Sequence, residues 1–195
     1  MLLTCEAAAA APERTLLIFG DSLSAAYGLQ TEQGWAALLQ DRLRDEGYGY
    51  TVVNASVSGE TTAGGRSRLP RALEQHKPEL VVLELGANDG LRGLPLKDTR
   101  TNLESMVSAA RKSGARVLLV GILIPPNYGP RYAQGFAQMY QDLSTQLKLP
   151  FVPFLLDGVA LDPQLMQEDG YHPKAEGEPR VLENVWQYLR PLLKR

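Results

Sequence analysis

The chain has 195 residues, the size of one domain with a single sizeable core. Its 44% hydrophobic and 22% charged residues form a globular composition and exclude a disordered chain. A net charge of -2 without blocks of like charge leaves no footprint for nucleic acid. One cysteine and two histidines exclude an intrachain disulfide and a His/Cys zinc site, so neither metal nor cofactor is expected.

In chain order, residues 1–14 come first. Met1-Leu2-Leu3-Thr4-Cys5-Glu6 and the alanines that follow resemble the end of a secretory signal peptide, without its basic start. A disordered alanine-rich leader is the alternative. The folded domain is expected over 15–195. Within it, short runs rich in Leu, Val and Ile read as buried strands at 15–19, 50–54, 80–85, 116–122 and 151–155. Between them lie helical stripes. Trp35, Leu38, Leu39 and Leu43 share one face, with Gly47 as the stop. Leu69, Ala72, Leu73 and His76 make the second stripe, closed by Pro78. Leu103, Met106, Val107 and Ala110 make the third, with Asp98 or Thr99 as N-cap and Gly114 as C-cap. Phe136, Met139, Tyr140, Leu143 and Leu147 form the fourth. Leu182, Val185, Trp186 and Leu189 form the last, entered through Pro179. No later segment is long and apolar enough to span a bilayer, so no stable membrane insertion is expected.

Strands alternating with helices specify a parallel sheet covered on both faces, a single three-layer α/β domain. Ligands of such sheets bind outside the carboxyl ends of the strands. The segments at those ends are Gly20-Asp21-Ser22, Ala55-Ser56-Val57-Ser58-Gly59, Gly86-Ala87-Asn88-Asp89, the glycine- and proline-bearing loop from Pro125 to Tyr132, and Asp169-Gly170-Tyr171-His172-Pro173.

These loops hold the parts of acyl transfer: a nucleophile, a base, a group that orients the base, and oxyanion donors. Ser22, at a sharp exit from strand to helix, fits a nucleophile better than Ser24, Ser56 or Ser58, although a helix N-cap serine would look the same. His76 continues an apolar stripe in the last turn of its helix and reads as structural. His172 lies at the functional edge, three residues after Asp169, close enough for the carboxylate to orient the ring. An ordinary turn accounts for that segment equally well. Gly59 suits close backbone approach to a ligand and Asn88 offers a side-chain donor, but both also fit plain turns. Glu84 interrupts a buried strand and must find a partner there, as structural support.

The joint pattern resembles the GDSL, or SGNH, family of serine hydrolases. Gly20-Asp21-Ser22-Leu23-Ser24, Gly59, Gly86-Ala87-Asn88-Asp89 and Asp169-Gly170-Tyr171-His172 match its four blocks in order. Within it the chain most resembles the bacterial multifunctional branch called thioesterase I, protease I, lysophospholipase or arylesterase, through Asn88-Asp89-Gly90-Leu91-Arg92-Gly93 and Asn127-Tyr128-Gly129-Pro130-Arg131-Tyr132 among others. The resemblance implies a flavodoxin-like, five-stranded α/β/α fold and a catalytic triad of Ser22, Asp169 and His172. It also implies an oxyanion hole from Ser22, Gly59 and Asn88, and hydrolysis of acyl esters and thioesters through an acyl-enzyme. Members of that branch are exported to the periplasm, in agreement with the leader. The partner expected is a small acyl ester or thioester, and the expected state a monomer.

Leu91, Arg92, Asn127, Tyr128 and Arg131 are candidates for substrate contact, with Leu91, Leu94, Ile124 and Pro126 suited to an acyl chain, although loop anchoring accounts for these apolar residues equally well. Two readings compete. One is a carbohydrate acetylesterase of the same superfamily. The other is a flavodoxin-like binding domain, which lacks a phosphate-binding glycine loop after the first strand. Glu176-Gly177-Glu178-Pro179 is unexpectedly acidic and has no functional role in this reading.

Overall fold

A computed structural model describes residues 14–195. The expected leader, apart from Arg14, lies outside the described residues. The apolar runs become β1 (Arg14–Gly20), β2 (Tyr50–Asn54), β3 (Leu80–Glu84), β4 (Arg116–Val120) and β5 (Phe151–Val152). All pair in parallel, in the order β2-β1-β3-β4-β5. Side chains alternate across a strand, so β1 sends Leu16 and Ile18 to one face and Leu17 and Phe19 to the other.

Two cores result. The first joins Leu16, Ile18, Leu80, Val82, Leu118 and Val120 to α1 (Trp35–Asp45) and α6 (Glu178–Leu189). The second joins Leu17, Phe19, Val81, Leu83, Val117 and Leu119 to α2 (Thr62–His76), α4 (Leu96–Lys112) and α5 (Pro130–Leu147). The three expected layers are present. All four side chains Leu16 to Phe19 have no exposed surface, as expected of a central strand covered on both sides.

Several details depart from the sequence reading: β3 ends at Glu84 and β4 at Val120, short of the expected 85 and 122, and Gly114 follows the C-cap Ser113 of its helix. β5 stops at Val152 instead of running to residue 155, because the Gly121 carbonyl takes the Leu155 N–H at 3.1 Å in place of the Phe154 N–H that a continued parallel ladder would use. Leu155 and Leu156 stay buried as loop residues, which explains the length of the apolar run. Helix α4 begins at Leu96 behind Pro95, so Asp98 lies in its first turn and Thr99 inside it, and neither is the N-cap. A short helix, α3 (Ala87–Leu91), follows β3 with no apolar stripe to announce it.

The order β2-β1-β3 makes the chain turn to one side after β1 and to the other after β2. The carboxyl ends of β1 and β3 therefore flank the topological switch point, where open α/β sheets bind ligands.

Candidate active site

β1 ends on Gly20, packed against β3. A Cβ there would lie 2.5 Å from a carboxylate oxygen of Glu84 and 2.9 Å from the Ser24 hydroxyl, so the approach needs glycine. The chain then turns without entering a regular helix, unlike the expected strand-to-helix exit. The Ala25 N–H donates to the Asp21 carbonyl at 3.0 Å and the Tyr27 N–H to the Ser22 carbonyl at 3.3 Å. This turn leaves Ser22 partly exposed while Asp21 and Ser24 on either side are buried.

Beneath Ser22 lie two buried acids. The Ser24 hydroxyl donates to Glu84 Oε2 at 2.7 Å, and the Asp21 N–H to the same oxygen at 3.3 Å. Glu84 thus has the partner its position demanded, although its Oε1 has none among the described residues. Burial pushes the Glu84 carboxyl well above its ordinary range, and the neighbouring Asp21 charge adds to the rise. The Asp21 carboxylate accepts from the Leu23 N–H at 3.1 Å and from Asn88 Nδ2 at 3.3 Å. Burial still pushes it up to about 7, against the lowering effect of those two donors.

Asn88 is held by α3. Its N-cap Gly86 has φ +128°, and a Cβ there would lie 2.1 Å from the hydroxyl of Tyr140, which donates to the Leu85 carbonyl at 2.7 Å. The next residue, Asp89, is buried and accepts from the Thr62 N–H at 2.8 Å and from the hydroxyls of Thr62 and Thr99. These bonds fasten a five-residue helix that would not persist alone.

The loop after β2 carries Gly59, at φ +79° with open space where a Cβ would stand. Glycine is needed there for backbone conformation, not for room. The Val57 N–H donates to the Gly20 carbonyl at 3.0 Å and Asn54 Nδ2 to the Ser24 carbonyl at 2.7 Å, tying this loop to the Ser22 turn. The N–H groups of Ser22 and Gly59 donate to no acceptor among the described residues.

The excursion after β5 closes the site. Asp169 Oδ1 accepts from the backbone N–H groups of Tyr171 and His172 at 2.8 and 3.1 Å, while Oδ2 lies 2.6 Å from His172 Nδ1. On the other side of the ring, Nε2 lies 2.8 Å from Ser22 Oγ. Burial acts to raise the Asp169 carboxyl, but the His172 ring and the two N–H donors outweigh it and the net shift is downward. Tyr27 packs on the imidazole with ring centroids 4.5 Å apart. Gln167 donates to the carbonyls of Tyr27 and Pro173, both at 2.8 Å, bracing the histidine loop against the serine turn.

Beside Ser22 opens a hollow of about 150 Å³. Its walls come from Leu91, Ile122, Leu123, Ile124, Phe154, Leu156, Met166 and Tyr171, with Asn88 and His172 at the serine. Of the substrate-contact candidates, Leu91 and also Ile124 line it. Arg92, Asn127, Tyr128, Arg131 and also Leu94 do not. Arg92 donates to the Gly59 carbonyl at 3.1 Å. The Tyr128 hydroxyl meets that of Tyr171 at 3.4 Å, Asn127 is exposed, and Arg131 borders a separate open hollow with Leu96 and Gln138. The Leu94 carbonyl accepts from the Tyr132 hydroxyl.

Among the rival serines, Ser24 is committed to Glu84 and the Ser56 hydroxyl is buried without a partner among the described residues, so neither meets an imidazole. His76 ends α2, far along the chain from the Ser22 turn and the His172 loop. Sequence reasoning missed the tie from Asp21 to Asn88 and the contact of Tyr27 with His172. A charged residue directly before the expected nucleophile was a signal for the first; nothing marked the second.

Residues 18–179 match the GDSL-like lipase/acylhydrolase family. Esterase TesA of Pseudomonas aeruginosa is 56% identical over 193 residues, which cover 99% of this chain and 94% of that protein. Thioesterase 1/protease 1/lysophospholipase L1 of Escherichia coli K12 is 42% identical over 193 residues, covering 99% of this chain and 90% of its own. A crystal structure of TesA, 57% identical, superposes with a TM-score of 0.90 over 92% of this chain and all of that one. With a match over most of its length, on a fold that brings serine, histidine and aspartate to one sheet edge, the chain belongs to the GDSL-like lipase/acylhydrolase family and is a carboxylic ester hydrolase.

Proposed function

We propose that this esterase acts on acyl esters and thioesters, among them acyl-CoA, lysophospholipid and aryl esters, through an acyl-enzyme on Ser22. The observation that carries the reading is the continuous line from Ser22 Oγ through His172 to Asp169, at 2.8 and 2.6 Å. His172 Nε2 takes the serine proton as Oγ attacks the carbonyl carbon. Asp169 holds Nδ1–H, which fixes the tautomer and stabilises the imidazolium that forms. The uncommitted N–H groups of Ser22 and Gly59 and the Asn88 amide are the donors for the developing oxyanion. His172 then protonates the leaving alcohol or thiol, and water repeats the cycle on the acyl-enzyme. Ser22→Ala is expected to lower kcat by about 10⁴-fold or more. Near-native activity in that variant would overturn the assignment.

The apolar walls beside Ser22 favour an acyl chain over acetyl alone. Burying one methylene contributes about 0.8 kcal/mol, so kcat/KM should rise about four-fold per methylene until the hollow is filled. A series of p-nitrophenyl esters, run beside acyl-CoA and acetyl-xylan, checks this. Highest efficiency at acetyl, with turnover of acetyl-xylan, would assign the protein to the carbohydrate acetylesterases instead.

The signal-like leader supports a periplasmic enzyme, and we assign it there as a monomer. No helix among the described residues is long and apolar enough to cross a membrane. Fractionation with mass spectrometry of the N-terminus, and light scattering, test the two assignments. An uncleaved cytoplasmic product would refute the first, and a stable dimer the second.

A further inference from the structure

Arg92 was a candidate for substrate contact, yet its exposed guanidinium is bonded to the neighbouring Gly59 loop instead. It is the residue that ends α3, the helix whose second residue is Asn88. From there Nη2 donates to the carbonyl of Gly59 at 3.1 Å. The loop that carries Gly59 is exposed from Val57 to Gly59, and its turn is closed by the Glu60 N–H on the Val57 carbonyl at 3.1 Å. Its entry is fixed by the Val57 N–H on the Gly20 carbonyl and by Arg68 Nη1 on the Ala55 carbonyl at 2.7 Å. Its exit is fixed by the ion pair of Arg68 with Glu60 and by Thr62 on Asp89. Between these anchors Gly59 sits in a left-handed conformation at φ +79°, with no side chain of its own to hold it.

We propose that Arg92 is a positioning residue that locks the Gly59 peptide to the Asn88 helix, so that the two oxyanion donors keep a fixed separation. The inference rests on the reading of Gly59 and Asn88 as oxyanion donors. Preorganised donors stabilise the transition state because they need not reorient as charge develops. A freed Gly59 loop must be ordered in each turnover, which slows chemistry while leaving ground-state binding in the apolar hollow intact. Asp89 makes the matching tie on the buried side, where it joins α3 to the first residue of α2.

The test uses Arg92→Met, which keeps the aliphatic stem and removes the donors, and Arg92→Lys, which keeps a cationic donor nitrogen without the guanidinium fork. Activity is measured on p-nitrophenyl butyrate, which is neutral, and butyryl-CoA, which is anionic. Removing an oxyanion donor outright costs about 10²–10³ in kcat, and loosening one costs less. Arg92→Met is expected to lose about ten-fold in kcat on both substrates, with KM within two-fold of wild type. Arg92→Lys should recover part of that loss, and hydrogen exchange across residues 56–60 should accelerate in the Met variant alone. Two results overturn the proposal: a KM rise confined to butyryl-CoA, which makes Arg92 a head-group contact, or unchanged kcat in Arg92→Met. Asn88→Ala, assayed in parallel, separates the two levels. If it too leaves kcat unchanged, the oxyanion reading fails; if it slows the enzyme while Arg92→Met does not, only the positioning role fails.

Discussion

Glu178 opens α6 and is almost fully buried, and its carboxylate accepts the Trp35 N–H at 2.8 Å, the first N–H of α1. It caps a helix whose own N-cap, Gly34, has no side chain to do so. Burial pushes the carboxyl from its ordinary 4.5 up to about 7, with the Trp35 bond opposing the rise. Between those two values the native chain holds a proton that the unfolded chain has released. Stability therefore falls as pH rises through that window and levels off above about pH 7. At 1.36 kcal/mol per unit, the ionised group costs about 3 kcal/mol at pH 8. Glu178→Gln keeps an acceptor for Trp35 and cannot ionise. Allowing about 1 kcal/mol for its new amide, it should be about 2 kcal/mol more stable than wild type at pH 8. That corresponds to about 4–8 °C in Tm for a domain of this size, and near pH 4.5 the sign should reverse, the variant being less stable by up to about 1 kcal/mol. Thermal unfolding of both proteins at pH 4.5 and pH 8 measures it, and the shared titration of all other groups cancels in the difference. A variant less stable than wild type at pH 8, or a difference independent of pH, would refute the reasoning.

Asp169→Asn should lower kcat by about 10⁴-fold with little change in KM, because Asn presents the wrong partner to Nδ1 and misplaces the His172 tautomer. The depressed Asp169 carboxyl also contributes stability that is complete above its ordinary 3.8 and is lost as pH falls through its lower native value, which acid unfolding of the same variant reads. Asp21→Ala frees the Asn88 amide and the Leu23 N–H, and should cost about ten- to a hundred-fold in kcat on a neutral ester, less than loss of Asn88 itself. Gly86→Ala places a methyl against the Tyr140 hydroxyl at a φ that L-residues avoid; denaturant unfolding should show a loss of about 3 kcal/mol, and kcat should fall as α3 shifts.

The five strands, the five long helices and the segments at the carboxyl edge of the sheet were legible because each depends on local pattern. Doubly buried strands read as continuous apolar runs, and helices as a stripe at every third or fourth residue. Gly47 and Gly114 were legible for a related reason: both take the positive φ that follows a helix end, which a side chain opposes. Asp169 and His172 could be paired because three residues of one turn bring them together. The short helix α3 had no such signature. Its Asn, Asp and Gly are poor helix formers, and it is held by bonds to other segments, among them those of Asp89 to Thr62 and Thr99.

What tertiary structure decided is everything that links distant segments. Ser22 and His172 stand 150 positions apart and meet because β1 is central and the excursion after the edge strand β5 folds back over it. Arg92 looked like any exposed arginine at a pocket rim, and only the approach of α3 to the β2 loop gave its guanidinium the Gly59 carbonyl. Glu178 read as unexplained acidity until α6 met the start of α1. Periodicity and spacing carry the information of one segment at a time, so the sequence determined the layers and the residue types at the sheet edge. The partner of each buried or charged group was chosen by packing between segments, which no local pattern encodes.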